Sequence, residues 1–143
     1  MLYKYSVVCL ILTLLIGCQE DKDDFISMDE FGKTVQQTSG ENATNCGKVS
    51  IDLSTYDVNT CVVDSFTLNI PFYAIYIRQG TDSSVASGVS MNSDGEVNYW
   101  HYDSDISGGS NGGSKVSSQI CESPTIGDIS NETNYRAIEC QKN

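Results

Sequence analysis

Positive charge is scarce in this chain, whose 143 residues include 8 Lys or Arg against 19 Asp or Glu, for a net charge of −11. A surface of that sign repels phosphate groups, so we expect no nucleic-acid partner. Histidine occurs once, at His101, and no two cysteines have the Cys-x-x-Cys spacing. Both scarcities argue against a zinc site and against a Ser-His or Cys-His nucleophile pair. Asp82, Asp103 and Asp105 could in principle supply a carboxylate pair for glycoside chemistry. Three acidic residues among 19 do not establish such a pair, and we expect the protein not to be an enzyme.

The longest mainly apolar stretch lies at the start of the chain. It runs from Val7 to Ile16 after the charged Lys4, is too short to span a bilayer and is typical of a secretory signal. It ends in Leu15-Ile16-Gly17-Cys18, and the order of an apolar residue, a small residue and Cys resembles the lipobox of bacterial lipoproteins. The resemblance implies that residues 1–17 are removed and that Cys18 becomes the first residue, carrying three acyl chains, palmitate among them.

This anchor predicts a membrane location, because several acyl chains hold a protein to a bilayer far more firmly than one. The acidic run Glu20-Asp21-Lys22-Asp23-Asp24 resembles an export signal of surface lipoproteins, although a solvated acidic spacer has the same composition. We expect an outer-membrane protein on the periplasmic or the cell-surface face. The mature chain would carry a net charge of −12, because the removed segment contains one base and no acid.

The composition divides the mature chain into a tether and a domain. Residues 18–45 are polar and acidic, which predicts a flexible lipidated tether. Phe25, Met28, Phe31 and Val35 have a spacing near that of a helix and allow a short amphipathic turn, which Gly32 weakens. Residues 46–143 have the length and pattern of one folded domain.

Four cysteines remain once Cys9 leaves with the signal and Cys18 takes lipid, and an even number in an exported chain predicts two disulfides. Three pairings are open for these residues: Cys46, Cys61, Cys121 and Cys140. Pairing of neighbours, Cys46 with Cys61 and Cys121 with Cys140, needs no long excursion of the chain and is favoured. A bridge from helix to sheet, such as Cys61 with Cys140, stays open.

The domain pattern predicts one helix followed by strands. The helix is predicted over Ser54–Leu68 and the first strand over Phe72–Arg78. The turn sequence Asn92-Ser93-Asp94-Gly95 predicts a hairpin of Ser84–Met91 with Glu96–Tyr102. A glycine-rich flexible loop is predicted over Ser107–Ser118, and a last strand near Tyr135–Cys140 is expected to complete the sheet.

These elements favour an α+β fold with two disulfides, in which one helix packs on an antiparallel β-meander in a cystatin-like arrangement. A small all-β sandwich with an edge helix is the alternative. Neither architecture confers a function by itself.

Calcium is the one cofactor for which the sequence offers ligands. Asp103-Ser104-Asp105-Ile106-Ser107-Gly108 resembles the start of a calcium loop, with Asp103, Asp105 and Ser107 as alternating oxygen ligands. Ser114 stands where such a loop requires a bidentate Glu. A polar loop at a strand end, with local side-chain turns, is the alternative.

Aromatic residues provide the other candidate site. Tyr99, Trp100 and Tyr102 would form a binding platform for sugars or a protein if a sheet face exposed them, but aromatic side chains in strands are commonly buried. Strand alternation places Tyr99 and His101 on one face, and Trp100 and Tyr102 on the other.

The order of residues between Cys46 and Asp105 resembles a group of small bacterial lipoproteins to which no activity is attached. The likeness is carried by Cys46-Gly47, Cys61, Phe66, Pro71-Phe72, Gln79-Gly80-Thr81-Asp82-Ser83 and Tyr102-Asp103-Ser104-Asp105. We therefore predict a non-catalytic interaction or structural module with a possible protein partner, held to the membrane by its lipid. The alternatives are an inhibitor of a cationic enzyme such as a lysozyme, for which the net charge is the motive, and a weak calcium- or carbohydrate-binding module.

Overall fold

A computed structural model describes residues 25–105, 113–129 and 137–141 of the chain. The fold is α+β and contains two disulfides, as the sequence predicts. Its helices are α1 (Met28–Ser39) and α2 (Tyr56–Thr67). The strands are β1 (Thr44–Ser50), β2 (Phe72–Gln79), β3 (Ser84–Met91), β4 (Val97–Asp103), β5 (Lys115–Ile120), β6 (Pro124–Ile126) and β7 (Ile138–Cys140).

The main sheet has five strands in the order β1-β2-β3-β4-β5. Strands β1 and β2 are parallel and are joined through α2, whereas β2 to β5 form an antiparallel meander. The predicted hairpin is confirmed in the β3–β4 pair, where Met91 lies opposite Val97 and the turn contains Gly95 at φ 78°. Glycine adopts this left-handed conformation at little cost, which accounts for the turn sequence.

Helix α2 agrees with the predicted helix and packs against β1 and β2. Its Val62 is fully buried in a core formed with alternate residues of the sheet. The sheet residues of that core share one face, and they include Phe72, Ala74, Tyr76, Val89, Met91 and Val97.

Helix α1 covers the opposite face and lies inside the segment that the composition assigned to a flexible tether. The predicted amphipathic turn is a 12-residue helix, and its Phe31 and Val35 are fully buried against Ile75 and Ala86. Two apolar side chains aligned on one helix face are thus enough to bury this helix against the sheet, although the average composition of the segment is polar. The sheet is therefore covered by a helix on each face, not by one helix on one face.

A reciprocal cap fixes the start of α1. The Glu30 backbone N–H donates to the Ser27 hydroxyl at 3.2 Å, and the Ser27 backbone N–H donates to the Glu30 carboxylate at 2.8 Å. These bonds to Ser27, the backbone one foremost, lower the pKa of Glu30. The cap satisfies N–H groups that a helix start otherwise leaves without a partner.

The C-terminal part differs from the prediction in two respects. Residues 115–118, predicted to belong to a flexible loop, form most of the edge strand β5, because their backbone groups pair with β4. The last strand, β7, does not complete the main sheet but pairs with β6 in a separate two-stranded sheet. Its Ile138 is fully buried against the core on the α2 side.

Both disulfides join neighbouring cysteines, so the favoured pairing is confirmed. Cys46 is bonded to Cys61 with an S–S distance of 2.05 Å, which ties β1 to α2. Cys121 is bonded to Cys140 at 2.14 Å, which ties the end of β5 to β7. Among the described residues, no helix is long and apolar enough to cross a membrane.

Candidate binding groove

A groove of about 730 Å³ opens on the α2 side of the main sheet. Helix α2 packs mainly over β1 and β2, and the groove lies beside it along β3 to β5. The sheet forms one wall of the groove, and strand β7 forms the other. The side chains and backbone that line the groove include Ser87, Tyr99, His101, Ser117, Gln119 and Glu139.

Strand register places the polar lining residues in two rows across the sheet. Ser87 lies opposite His101, and His101 lies opposite Ser117, so these three side chains form one row on one face. Tyr99 lies opposite Gln119 in the next row. Side chains at directly opposed positions have Cβ atoms about 4.5–5.5 Å apart, which is close enough to contact one ligand.

Tyr76 forms the inner end of the groove and is 3% exposed. Its hydroxyl donates to Asn59 Oδ1 at 2.8 Å, and the Asn59 amide donates to the Thr55 hydroxyl at 3.1 Å. Burial raises the pKa of Tyr76 well above its ordinary value, and the neighbouring Tyr99 adds to the increase. The phenol is therefore a neutral structural donor that connects the sheet to α2.

Two links hold β7 in place as the outer wall. The Tyr99 hydroxyl donates to the backbone carbonyl of Ile138, and the Cys121–Cys140 disulfide connects the end of β5 to the end of β7. The groove thus depends on contacts between residues some 20 to 40 positions apart in the sequence.

The groove continues into a smaller cleft of about 210 Å³, which shares Tyr76, Ser87 and His101 with it. Arg78 lines this cleft and Glu139 lines the main groove. The groove and the cleft are thus lined by one side chain of fixed positive charge and one of fixed negative charge, although the chain as a whole is strongly acidic.

The three aromatic residues predicted as a platform do not present their rings on one surface. Tyr99 and Trp100 both line the groove. The Trp100 indole N–H donates to the Ser90 hydroxyl at 3.0 Å, and its ring packs with the cluster under α1. Tyr102 is 2% exposed and stacks on Phe31 with ring centroids 5.3 Å apart, and burial raises the pKa of its phenol. Tyr102 is therefore part of the core and is not accessible to a ligand.

The predicted calcium ligands lie at the end of β4. The Asp103 carboxylate accepts a hydrogen bond of 3.1 Å from the Asp105 backbone N–H, which is a local turn contact. Ser107 lies outside the described residues. Among the residues that are described, no group of three or more His, Cys, Asp or Glu residues is arranged to hold a metal ion. Calcium binding therefore stays a prediction from the sequence.

Cys18, the predicted lipid acceptor, also lies outside the described residues. No family model, curated protein or solved structure matches the chain. The candidate site is therefore defined by its geometry.

The sequence analysis did not predict four of the residues that line the groove: Ser87, Ser117, Gln119 and Glu139. The register of the predicted hairpin could have aligned Ser87 with His101. Nothing local in the sequence indicates that β7 forms a wall of the groove.

Proposed function

We propose that the protein is a lipid-anchored lipoprotein of the bacterial outer membrane, and that its disulfide-linked domain is a non-catalytic binding module on the periplasmic or cell-surface face. The pairing of Cys46, Cys61, Cys121 and Cys140 in two disulfides carries this proposal. Disulfides form and persist in oxidising, extracytoplasmic compartments. The sequence agrees with such a location, because its start resembles a secretory signal that ends in a lipobox.

The short distance along the chain from Cys18 to the domain defines how the module would be presented. Phe25, the first described residue, lies seven positions after Cys18. Even a fully extended segment of that length reaches only about 25 Å. The domain would therefore stand close to the bilayer, with the start of α1 on the side of the anchor.

The groove supports a binding role because it is concave and brings several polar side chains together beside the ring of Tyr99. We also propose that one part of the fold is cystatin-like, namely helix α2 together with the antiparallel strands β2 to β5. Helix α1 and the parallel β1–β2 pair are additions to it.

Substitution of the lipid acceptor tests the proposal. Cys18→Ala should abolish incorporation of labelled palmitate and leave residues 1–17 attached, because the thiol accepts the lipid. Cys9→Ala is the matched control and should be labelled and processed normally. Membrane fractions and the N-terminus of each variant are the measurements, and a Cys18→Ala chain that is still labelled would refute the lipoprotein assignment.

A further inference from the structure

We propose that the groove between the β3–β5 face and β7 binds an uncharged, hydroxyl-rich ligand of the carbohydrate class. The inference rests on the binding role proposed above and adds the ligand chemistry. It differs from the aromatic platform considered from the sequence, because Tyr102 is in the core and the polar side chains of the groove provide the contacts.

Several side chains that face the groove have unused hydrogen-bonding capacity within the described residues. The side chains of Ser87, His101, Ser117 and Gln119 make no hydrogen bond to other groups of the described residues. Each offers both a donor and an acceptor, as each sugar hydroxyl does. Their placement in adjacent rows of three neighbouring strands lets one chain of sugar rings contact several of them at once.

An apolar surface lies beside these polar groups. It is the half-buried ring of Tyr99, which lines the groove next to the polar rows. A sugar ring has an apolar C–H face that packs on such surfaces, while its hydroxyls point to the rim. The volume of about 730 Å³ lies inside the range of roughly 300–1,000 Å³ typical of small-ligand sites.

The charges around the groove favour a neutral ligand. The groove and its continuing cleft contain the fixed charges of Arg78 and Glu139, one of each sign. The net charge of −11 on the chain disfavours the approach of anionic ligands. A neutral oligosaccharide can form hydrogen bonds with the polar side chains of the groove and is not repelled by the negative charge of the chain.

Titration calorimetry with maltotriose, cellotriose and N-acetylchitotriose as probes tests the inference. The sample is the mature full chain in a zwitterionic detergent, which has no sugar headgroup. At least one probe should bind with a submillimolar Kd, and Ser117→Ala combined with Gln119→Ala should weaken binding about tenfold or more, because hydrogen bonds are lost at two exposed edge positions. Gln36→Ala, an exposed change of the same kind on α1, should leave the Kd unchanged.

Absence of binding for all three probes at about 10 mM would overturn the inference, as would binding that the double variant leaves unchanged. Tighter binding of a charged peptide than of any sugar would overturn the ligand class. The intact mass of the same sample reports lipidation separately. Sugar binding by a chain without lipid would thus refute the proposed lipid anchor and support carbohydrate binding in the groove.

Discussion

At the scale of single residues, Gly88 sets how closely α1 approaches the sheet. A Cβ atom at this position would lie 3.0 Å from Val35 Cγ2 and 3.2 Å from Trp100 Cβ. We predict that Gly88→Ala lowers the free energy of unfolding by about 1–3 kcal/mol through overpacking, as measured by denaturant titration. In the Val35→Ala background, Gly88→Ala should lower the free energy of unfolding by less than it does in the wild type.

Gly32 is the matched control for Gly88 because it lies on the helix that Gly88 faces. A Cβ atom there would meet Ile75 Cδ1 at 3.4 Å, which is an ordinary contact. Alanine is favoured over glycine inside a helix by about 1 kcal/mol, so Gly32→Ala should raise stability. Equal effects of Gly32→Ala and Gly88→Ala would contradict this account of the packing.

Tyr76 joins the sheet to α2 through a buried hydrogen bond to Asn59, 2.8 Å in length. Tyr76→Phe keeps the ring and removes the donor, and we predict a loss of about 1–2 kcal/mol in the free energy of unfolding. Tyr56→Phe is the control, since Tyr56 is an exposed residue. A Tyr76→Phe chain as stable as the wild type would show that the hydrogen bond contributes nothing.

The same tyrosine predicts a dependence of stability on pH. Burial, with a contribution from Tyr99, raises the pKa of Tyr76 above the value of about 10 expected in the unfolded chain. Stability from this group is therefore fully present below about pH 10 and is lost as the pH rises toward the folded-state pKa. Urea midpoints measured between about pH 8 and 11 should fall less steeply in Tyr76→Phe than in the wild type. Identical slopes would contradict the assignment.

At the scale of elements, local sequence patterns predict the parts of the fold whose cause is local. The apolar spacing of α2, the aromatic and β-branched run of β2 and the glycine turn between β3 and β4 each determine the conformation of a short segment. Those elements have the predicted positions within a few residues.

Helix α1 and strand β5 are different, because they gain their stability from the rest of the fold. Helix α1 has a polar composition and is held by two buried apolar side chains, although the Ser27–Glu30 capping box is a sequence pattern that marks its start. Strand β5 is mostly exposed and reads as a polar loop, yet it pairs with β4 along its length. The groove was not predictable for the same reason, since it needs β7 to lie across the sheet.

The packing of α1 predicts that this helix belongs to the cooperative unit. Phe31 is fully buried and stacks on Tyr102, so Phe31→Ala should cost about 3–5 kcal/mol in the free energy of unfolding. Phe25 is 65% exposed, and Phe25→Ala should change stability by no more than about 0.5 kcal/mol. Equal, small effects of both changes in a denaturant titration would mean that α1 does not contribute to the core.

At the scale of the whole molecule, the two disulfides hold peripheral elements to the sheet. They close loops with sequence separations of 15 and 19 residues. In the chain-entropy model each contributes about 3 kcal/mol, so replacement of Cys121 and Cys140 by Ser should lower stability by about that amount. Non-reducing peptide mapping should recover Cys46 with Cys61 and Cys121 with Cys140. A peptide joining Cys61 to Cys121 or Cys140 would contradict the fold.

The central claim for the whole molecule is that one chain carries both the lipid and the two disulfides. The most direct measurement is the intact mass of the protein extracted from membranes, unfolded without a reducing agent in the presence of a thiol-alkylating reagent. We predict a chain that begins at Cys18, carries acyl groups and takes up no alkyl group, because Cys46, Cys61, Cys121 and Cys140 are paired. A chain that begins at Met1 without lipid, or one alkylated at any of these four cysteines, would contradict it.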